Sequence, residues 1–385
     1  MKITDLQTFI VGVPGANNTI TSNWMFVKVH TDAGITGLGE GHVASKEPAV
    51  ASAVEALARN LIGQDPARIE GLWQSMYRRP RWRGGPVLAS AISAVEIALW
   101  DIKGKALGVP IYQLLGGACR DRIRLYTHIS GDSPAGIAGH AREMVEAGFN
   151  GLKMTPDWVD EHGVVALPAP IPLEVERVRA VRDAVGDRVD IMVDAHGRLT
   201  LPQAADMGRR MEELDILFFE EAAPPEDVDA LEWLSRQTSV PQATGERLFG
   251  KWAFAEIINR HLVNYVQPDV VHVGGILEMK KIAAMAESRF VEMAPHNPQS
   301  PVSTMASLHI DACSPACVIQ EYVHLGPDLQ SELFGGGPVI RDGYATLPDR
   351  PGLGIELNEA VAARYPYAPI DRPDWSWEDG AVAEW

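Results

Sequence analysis

At 385 residues, with 46% hydrophobic and 22% charged residues, the chain has an ordinary globular composition and is too long for one compact core, so it suits two domains, one of them roughly 250 residues. A formal net charge of −17 argues against nucleic acid or an anionic membrane as partner, yet leaves room for a small anionic substrate beside a bound cation. The three scattered cysteines, Cys119, Cys313 and Cys317, point to a reducing cytoplasm, no apolar run is long enough for a membrane helix, and Met1-Lys2-Ile3-Thr4-Asp5 lacks the features of a signal peptide.

Residues 1–42 predict an antiparallel hairpin, with strands at 3–13 and 24–30 and a polar loop between them that would reach over a pocket. The glycine-rich Gly34-Ile35-Thr36-Gly37-Leu38-Gly39-Glu40-Gly41 opens no helix and reads as a strand edge, not a nucleotide-binding fingerprint. Residues 50–62, 66–77 and 87–107 carry apolar side chains at helical spacing, and Gly108-Val109-Pro110 stops the last of these helices. Residues 1–122 thus form an α+β capping domain. Within it Arg81-Trp82-Arg83-Gly84-Gly85-Pro86 is a basic turn, either a plain connection or a substrate-facing loop.

From residue 123 the rhythm changes. Strands are expected at 123–129, 149–154, 189–195, 216–221, 242–246, 265–269, 290–296 and 318–322, with helical patterns between most pairs. Eight such strands close into a (β/α)8-type barrel over residues 123–325, with an open doubly wound sheet as the alternative. Residues 157–172 look like an insertion near the barrel mouth. Residues 326–385 read as a return segment packing back toward the capping domain.

Chemistry in a barrel gathers where strands end. Asp194, Glu220 and Glu246 close three successive strands and lie 26 residues apart, one βα unit each. Three converging carboxylates repel one another unless a hard divalent cation sits between them, which points to a magnesium-type site. A lone strand-end acid is also a common helix cap, so it is the joint occurrence that carries weight. Only one of Glu220 and Glu221 can face the metal if the strand persists. His196, two residues past Asp194, would share its side of the strand. Lys153, Asp269, His296 and Glu321 complete the strand-end set. An Asp269–His296 hydrogen bond would fix the imidazole tautomer and raise its basicity, as a general base requires.

Together, Val193-Asp194-Ala195-His196-Gly197-Arg198, Glu220-Glu221, Gly245-Glu246-Arg247, Gln267-Pro268-Asp269, Gly274-Gly275 and Ala294-Pro295-His296 resemble the enolase superfamily, mandelate racemase subgroup. Within it the chain is most similar to sugar-acid dehydratases of the D-galactonate dehydratase type. The likeness extends to Ala98-Leu99-Trp100-Asp101-Ile102-Lys103-Gly104-Lys105, Leu114-Leu115-Gly116-Gly117 and Ser376-Trp377-Glu378-Asp379. The resemblance implies Mg²⁺ held by Asp194, Glu220 and Glu246, and His296 paired with Asp269 as the base that removes the proton beside the substrate carboxylate. It makes His196 the acid for the departing hydroxyl and Glu321 a hydrogen-bonding partner on the far wall. Lys153, Arg247 and Glu246 are the expected substrate-binding residues. The implied reaction is dehydration of an aldonic acid to a 2-keto-3-deoxy acid through an ene-diolate, and a homo-oligomer is expected.

Two departures bear on specificity. Racemases of the subgroup carry Lys-x-Lys on the second strand, where this chain has Lys153-Met154-Thr155, so a second base is missing. The usual Glu-Glu-Pro is Glu220-Glu221-Ala222 here, with proline delayed to Pro224. The alternatives are an epimerase or cycloisomerase using the same enolate, and a non-catalytic sugar-acid-binding relative.

Overall fold

The computed structural model describes residues 1–13, 23–160, 162–166, 169–323, 327–369 and 375–383. Most of the loop expected over the pocket, residues 14–22, lies outside these, as do three residues of the 157–172 insertion.

The N-terminal domain begins with three antiparallel strands, β1 (Ile3–Gly12), β2 (Asn23–Thr31) and β3 (Thr36–Gly41), in the order β1-β2-β3. Helices α1 (Glu47–Leu61), α2 (Ile69–Arg78) and α3 (Pro86–Leu107) follow. The glycine run is a full strand, and its glycines face α3. A Cβ at Gly37, Gly39 or Gly41 would stand 2.0, 1.9 or 2.5 Å from the carbonyl oxygens of Ala98, Ala94 and Ser90. Alternate strand residues therefore lie on helix residues four apart, at a separation that only glycine permits. This packing fixes Glu40 at the far end of β3, and α3 is buried along most of its length.

After a short helix, α4 (Ile111–Leu114), eight strands alternate with helices. They are β4 (Arg122–Ile129), β5 (Gly151–Met154), β6 (Asp190–Asp194), β7 (Ile216–Glu220), β8 (Gln242–Thr244), β9 (Tyr265–Val266), β10 (Glu292–Met293) and β11 (Gln320–Glu321). The intervening helices are α5 (Pro134–Glu146), α6 (Ile171–Val185), α7 (Leu201–Met211), α8 (Val228–Leu234), α9 (Lys251–Asn259), α10 (Ile276–Ser288) and α11 (Pro301–Ala312). Each strand pairs in parallel with the next from β4 to β10. Strand β11 pairs with β4, and a Met293–Cys317 bridge joins β10 to the approach of β11, which closes the barrel. The last strands are shorter than their apolar runs suggest. Beyond Val266 and Met293 the chain turns toward the mouth and leaves the ladder.

Tyr126, Met192, Phe218, Ala243, Ala294 and Ile319 fill the barrel interior. Strand side chains alternate, so the residue two positions later faces the same way, one layer higher. Five of those steps lead to His128, Asp194, Glu220, His296 and Glu321. Lys153 stands likewise above Gly151, where a Cβ would meet Tyr126 and Ile319 at 2.9 Å. An apolar plug thus sits directly below a polar layer.

The capping domain grips the barrel through two buried carboxylates at helix N-termini. Glu40 accepts from Ser300 N, Ser300 Oγ and Ser303 N (3.2, 2.5 and 2.8 Å) at the start of α11. Glu96, on α3, accepts from Ile276 N and Leu277 N (2.7 and 3.0 Å) at the start of α10. The helix N-termini favour negative charge at both places, but burial outweighs them and raises Glu40 to about 7 and Glu96 to about 8. The Gly274-Gly275 pair makes room for this grip: a Cβ on Gly275 would lie 2.1 Å from Glu96 Oε2.

The C-terminal segment touches both domains. Phe334 packs against Trp24 and Phe26 with ring centroids 6.2 and 5.7 Å apart, and Leu353 N donates to Asp101 at 2.7 Å. A hairpin strand over residues 344–346 adds antiparallel to β4. The tail then reaches the mouth, where Ser376 bridges Val164 and the Arg198 guanidinium lies 4.7 Å from the Trp375 ring centroid. No helix among the described residues is long and apolar enough to cross a membrane.

Candidate active site

Asp194 and Glu220 are register partners at the ends of β6 and β7. Lys153 reaches both, its Nζ standing 3.2 Å from Asp194 Oδ2, 3.1 Å from Glu220 Oε2 and 2.7 Å from Glu321 Oε1. All four side chains are at most 2% exposed. One ammonium thus faces three carboxylates. Burial opposes its charge, but Glu220 and Glu321 outweigh that and hold the Lys153 pKa well above its usual value. Lys153, expected to bind substrate, is here enclosed by acids.

The turn after β6 departs from the simple strand expectation. The strand ends at Asp194, and His196 takes a left-handed backbone, φ 49°. This turn, not strand alternation, brings His196 Nε2 to 3.2 Å from Asp194 Oδ2, while Asp194 Oδ1 accepts from His196 N at 3.1 Å. The strain of a positive φ at a non-glycine residue is typical of functional sites. Glu220 and Glu221 separate in the same manner. Glu221 leaves the strand with φ 40° and accepts from Arg247 Nε at 2.8 Å. Arg247 Nη2 also donates to the His196 carbonyl at 3.2 Å. A Cβ on Gly197 would lie 2.4 Å from that nitrogen. Arg247 therefore braces the turn that carries His196.

Glu246 follows Gly245, and its Oε2 lies 3.1 Å from His296 Nε2. His296 Nδ1 donates to Asp269 Oδ2 at 2.7 Å, and Val271 N donates to Asp269 Oδ1 at 2.9 Å. Burial disfavours a charged imidazole here, but Glu246, Glu321 and the bond to Asp269 prevail and raise the His296 pKa well above normal. His196 goes the other way, lowered by burial despite Asp194 and Glu246. Glu321 joins the two halves of the site. Besides Lys153 it contacts His128 Nε2 at 2.5 Å and accepts from Asn297 N at 2.6 Å.

The donor set suits a hard divalent cation. Among the described residues Asp194, His196 and Glu246 each offer an atom within 4.8 Å of the other two. Glu220 adjoins them with both oxygens turned to Lys153 (3.1 and 3.2 Å). Burial, with Asp194 adding to it, pushes Glu220 up to about 8. Carboxylates crowded in this way are what a divalent ion relieves.

The basic turn over residues 81–86 makes no polar contact, among the described residues, with these groups, whereas Lys153, Asp194, His196, Glu220, Glu246, Arg247, Asp269, His296 and Glu321 lie in one connected cluster at the barrel mouth. His128, Gln299 and Asn297 belong to it too and were missed. His128 carried a signal, standing two residues past the interior Tyr126. The other two sit in an irregular loop where no periodicity applies.

The comparisons with known proteins agree with this architecture. Residues 13–116 match the mandelate racemase / muconate lactonizing enzyme N-terminal domain, and residues 136–361 match the enolase C-terminal domain-like family. D-galactonate dehydratases of Ralstonia pickettii and Verminephrobacter eiseniae are 39% and 41% identical, with all of both chains covered. An enolase from Pantoea ananatis, solved with bound D-gluconate and Mg, superposes with a TM-score of 0.91 at 33% identity, covering 99% of each chain. A mandelate racemase/muconate lactonizing enzyme from Sulfitobacter also gives 0.91, at 32% identity over both full chains. A three-stranded cap clamped onto a closed barrel, acids at the ends of its middle strands and matches spanning both parts place this chain in the mandelate racemase/muconate lactonizing enzyme family of the enolase superfamily.

Proposed function

We propose that the protein is a Mg²⁺-dependent hydro-lyase that dehydrates an aldonic acid, such as galactonate or gluconate, to the 2-keto-3-deoxy acid. The observation that carries this reading is the pair of histidines bordering one carboxylate cluster, one against Asp194 and the other against Glu246. His296 is oriented by Asp269, and His196 is held against Asp194. The D-galactonate dehydratase relatives and the D-gluconate-bound neighbour support the substrate class.

Asp194, Glu220 and Glu246 would hold the ion, their oxygens being preferred over an imidazole nitrogen by a small hard cation. When bound, Mg²⁺ supplies positive charge against the second negative charge that develops on the substrate carboxylate. His296 takes the proton from the carbon beside that carboxylate, with Asp269 keeping its Nδ1 protonated; its Nε2, which faces Glu246 Oε2 at 3.1 Å, would be the accepting atom once Glu246 turns to hold the ion. His196 delivers a proton to the hydroxyl on the next carbon, and water leaves; burial works against its protonated form, and Asp194 and Glu246 support it. The resulting enol becomes the keto acid. Lys153 supplies fixed positive charge inside the cluster, and Arg247 acts through the turn it braces. An acid placed to expel the hydroxyl favours dehydration over simple reprotonation. The three free cysteines support a cytoplasmic location. A homo-oligomer is the working form we assign, to be read by sedimentation.

The test is a panel of aldonic acids incubated with protein and Mg²⁺, with keto product trapped by semicarbazide. Turnover of at least one six-carbon acid, lost in H296N, is the expected result. Binding of these acids without product from any of them would favour the non-catalytic reading.

A further inference from the structure

The base pair is not the whole of the assembly around Asp269. Gln299, 4% exposed, donates from Nε2 to Asp269 Oδ2 at 2.9 Å, the oxygen that also accepts from His296 Nδ1 at 2.7 Å. A second imidazole stands within reach of that oxygen: His272 Nδ1 lies 3.8 Å from it, beyond hydrogen-bond distance, and 3.4 Å from the Glu246 carbonyl oxygen. The other end of the Gln299 amide has no partner: Oε1 is buried and unpaired. A buried amide oxygen without a hydrogen bond costs stability, so its retention calls for a reason found on the nitrogen side. The next residue, Ser300, is pinned through its N–H and hydroxyl by the capping-domain Glu40 (3.2 and 2.5 Å), which leaves the Gln299 backbone little freedom.

We propose that Gln299 is a positioning residue that commits the Asp269 carboxylate to His296 and away from His272, with Glu40 of the capping domain anchoring it. The inference rests on the reading of His296 as the base. Val271 N holds Oδ1 from one side, and Gln299 holds Oδ2 from the other. With the amide donor gone, one lateral restraint remains, and the carboxylate rotates about its Cβ–Cγ bond toward the His272 ring. His296 then loses the fixed orientation of its Nδ1–H.

Gln299→Met tests this because it keeps the volume, removes the donor and removes the unpaired oxygen, so the melting temperature should change little. With D-galactonate or D-gluconate and Mg²⁺, Q299M should lower kcat about 10- to 100-fold with KM within roughly threefold. His272→Phe removes the competing imidazole, and in the Q299M background it should recover about tenfold in kcat. A role in packing alone predicts no such rescue.

A readout independent of turnover uses protein labelled with nitrogen-15 histidine. The imidazole proton bonded to Asp269 gives a downfield resonance, assigned by its loss in H296N. It should broaden or move upfield in Q299M and return in Q299M/H272F. An unchanged resonance in Q299M overturns the proposal, as does full kcat. If instead H296N retains exchange of the substrate α-proton, the base assignment falls by itself, and the resonance still decides what Gln299 does.

Discussion

His309 lies on α11, fully buried, between the barrel, α4 and the C-terminal segment. Its Nδ1 accepts from Tyr112 N at 3.3 Å, so its Nε2–H is left to donate to the Leu353 carbonyl at 3.2 Å. Both ring nitrogens are therefore matched to the neutral imidazole, and a proton added to Nδ1 would face an N–H. Burial lowers the pKa from 6.5 to about 4, against the pull of the Leu353 carbonyl. Between those values the unfolded chain holds a proton that the folded one does not. This contribution to stability is complete above pH 6.5 and declines as the pH falls toward 4. With these two pKa values the loss at pH 5 relative to pH 8 is about 2 kcal/mol, rising to about 3 kcal/mol once both states are protonated. His309→Gln keeps a donor and an acceptor and cannot titrate. Urea unfolding of both proteins at pH 8 and pH 5 gives the comparison, with other titrating groups cancelling. The wild type should lose about 2 kcal/mol more than H309Q. Equal losses would refute the assignment of a neutral, hydrogen-bonded His309.

Four further outcomes are expected. His296→Asn should abolish exchange of the substrate α-proton with deuterium, while His196→Asn keeps some exchange and blocks release of water, both followed by proton NMR. Full turnover in both variants would contradict the assigned roles. Glu220→Gln should weaken Mg²⁺ binding by about 10- to 100-fold in calorimetry, since it removes one of the three proposed anionic ligands. Chelation of the metal should stop turnover, and added Mg²⁺ should restore it. Glu96→Ala leaves Ile276 N, Leu277 N and Trp100 Nε1 without their shared acceptor. It should destabilise the protein by about 3 kcal/mol or more in urea titration, against a small change for an exposed acid such as Glu359→Ala.

The alternation of side chains along each strand made much of the site legible before any coordinates. Asp194, Glu220 and Glu321 close strands whose alternate residues point into the barrel, so their own direction follows from a period of two, whereas His296 lies past the end of its strand. The helices of the capping domain were equally readable from their apolar spacing, and the 26-residue interval among the acids reflects the length of one strand–helix unit. These are local properties, and a single sequence carries them.

Other features depend on which segments meet. The left-handed turn at His196, the positive φ of Glu221 and the bracing position of Arg247 arise where strands stop and periodicity no longer applies. Lys153 reads as a free substrate ligand until β5, β6, β7 and β11 enclose it with three acids. The glycines of β3 are ambiguous until α3 lies on them, and the Gly274-Gly275 pair has no evident purpose until Glu96 arrives from 178 residues earlier. Nor does the sequence indicate that the capping domain reaches toward His296, because that route crosses from Glu40 to Ser300 by hydrogen bonds between two domains before passing to the neighbouring Gln299. Chain order determines what each strand can present, whereas the distances that make it a site depend on closure of the barrel and docking of the cap.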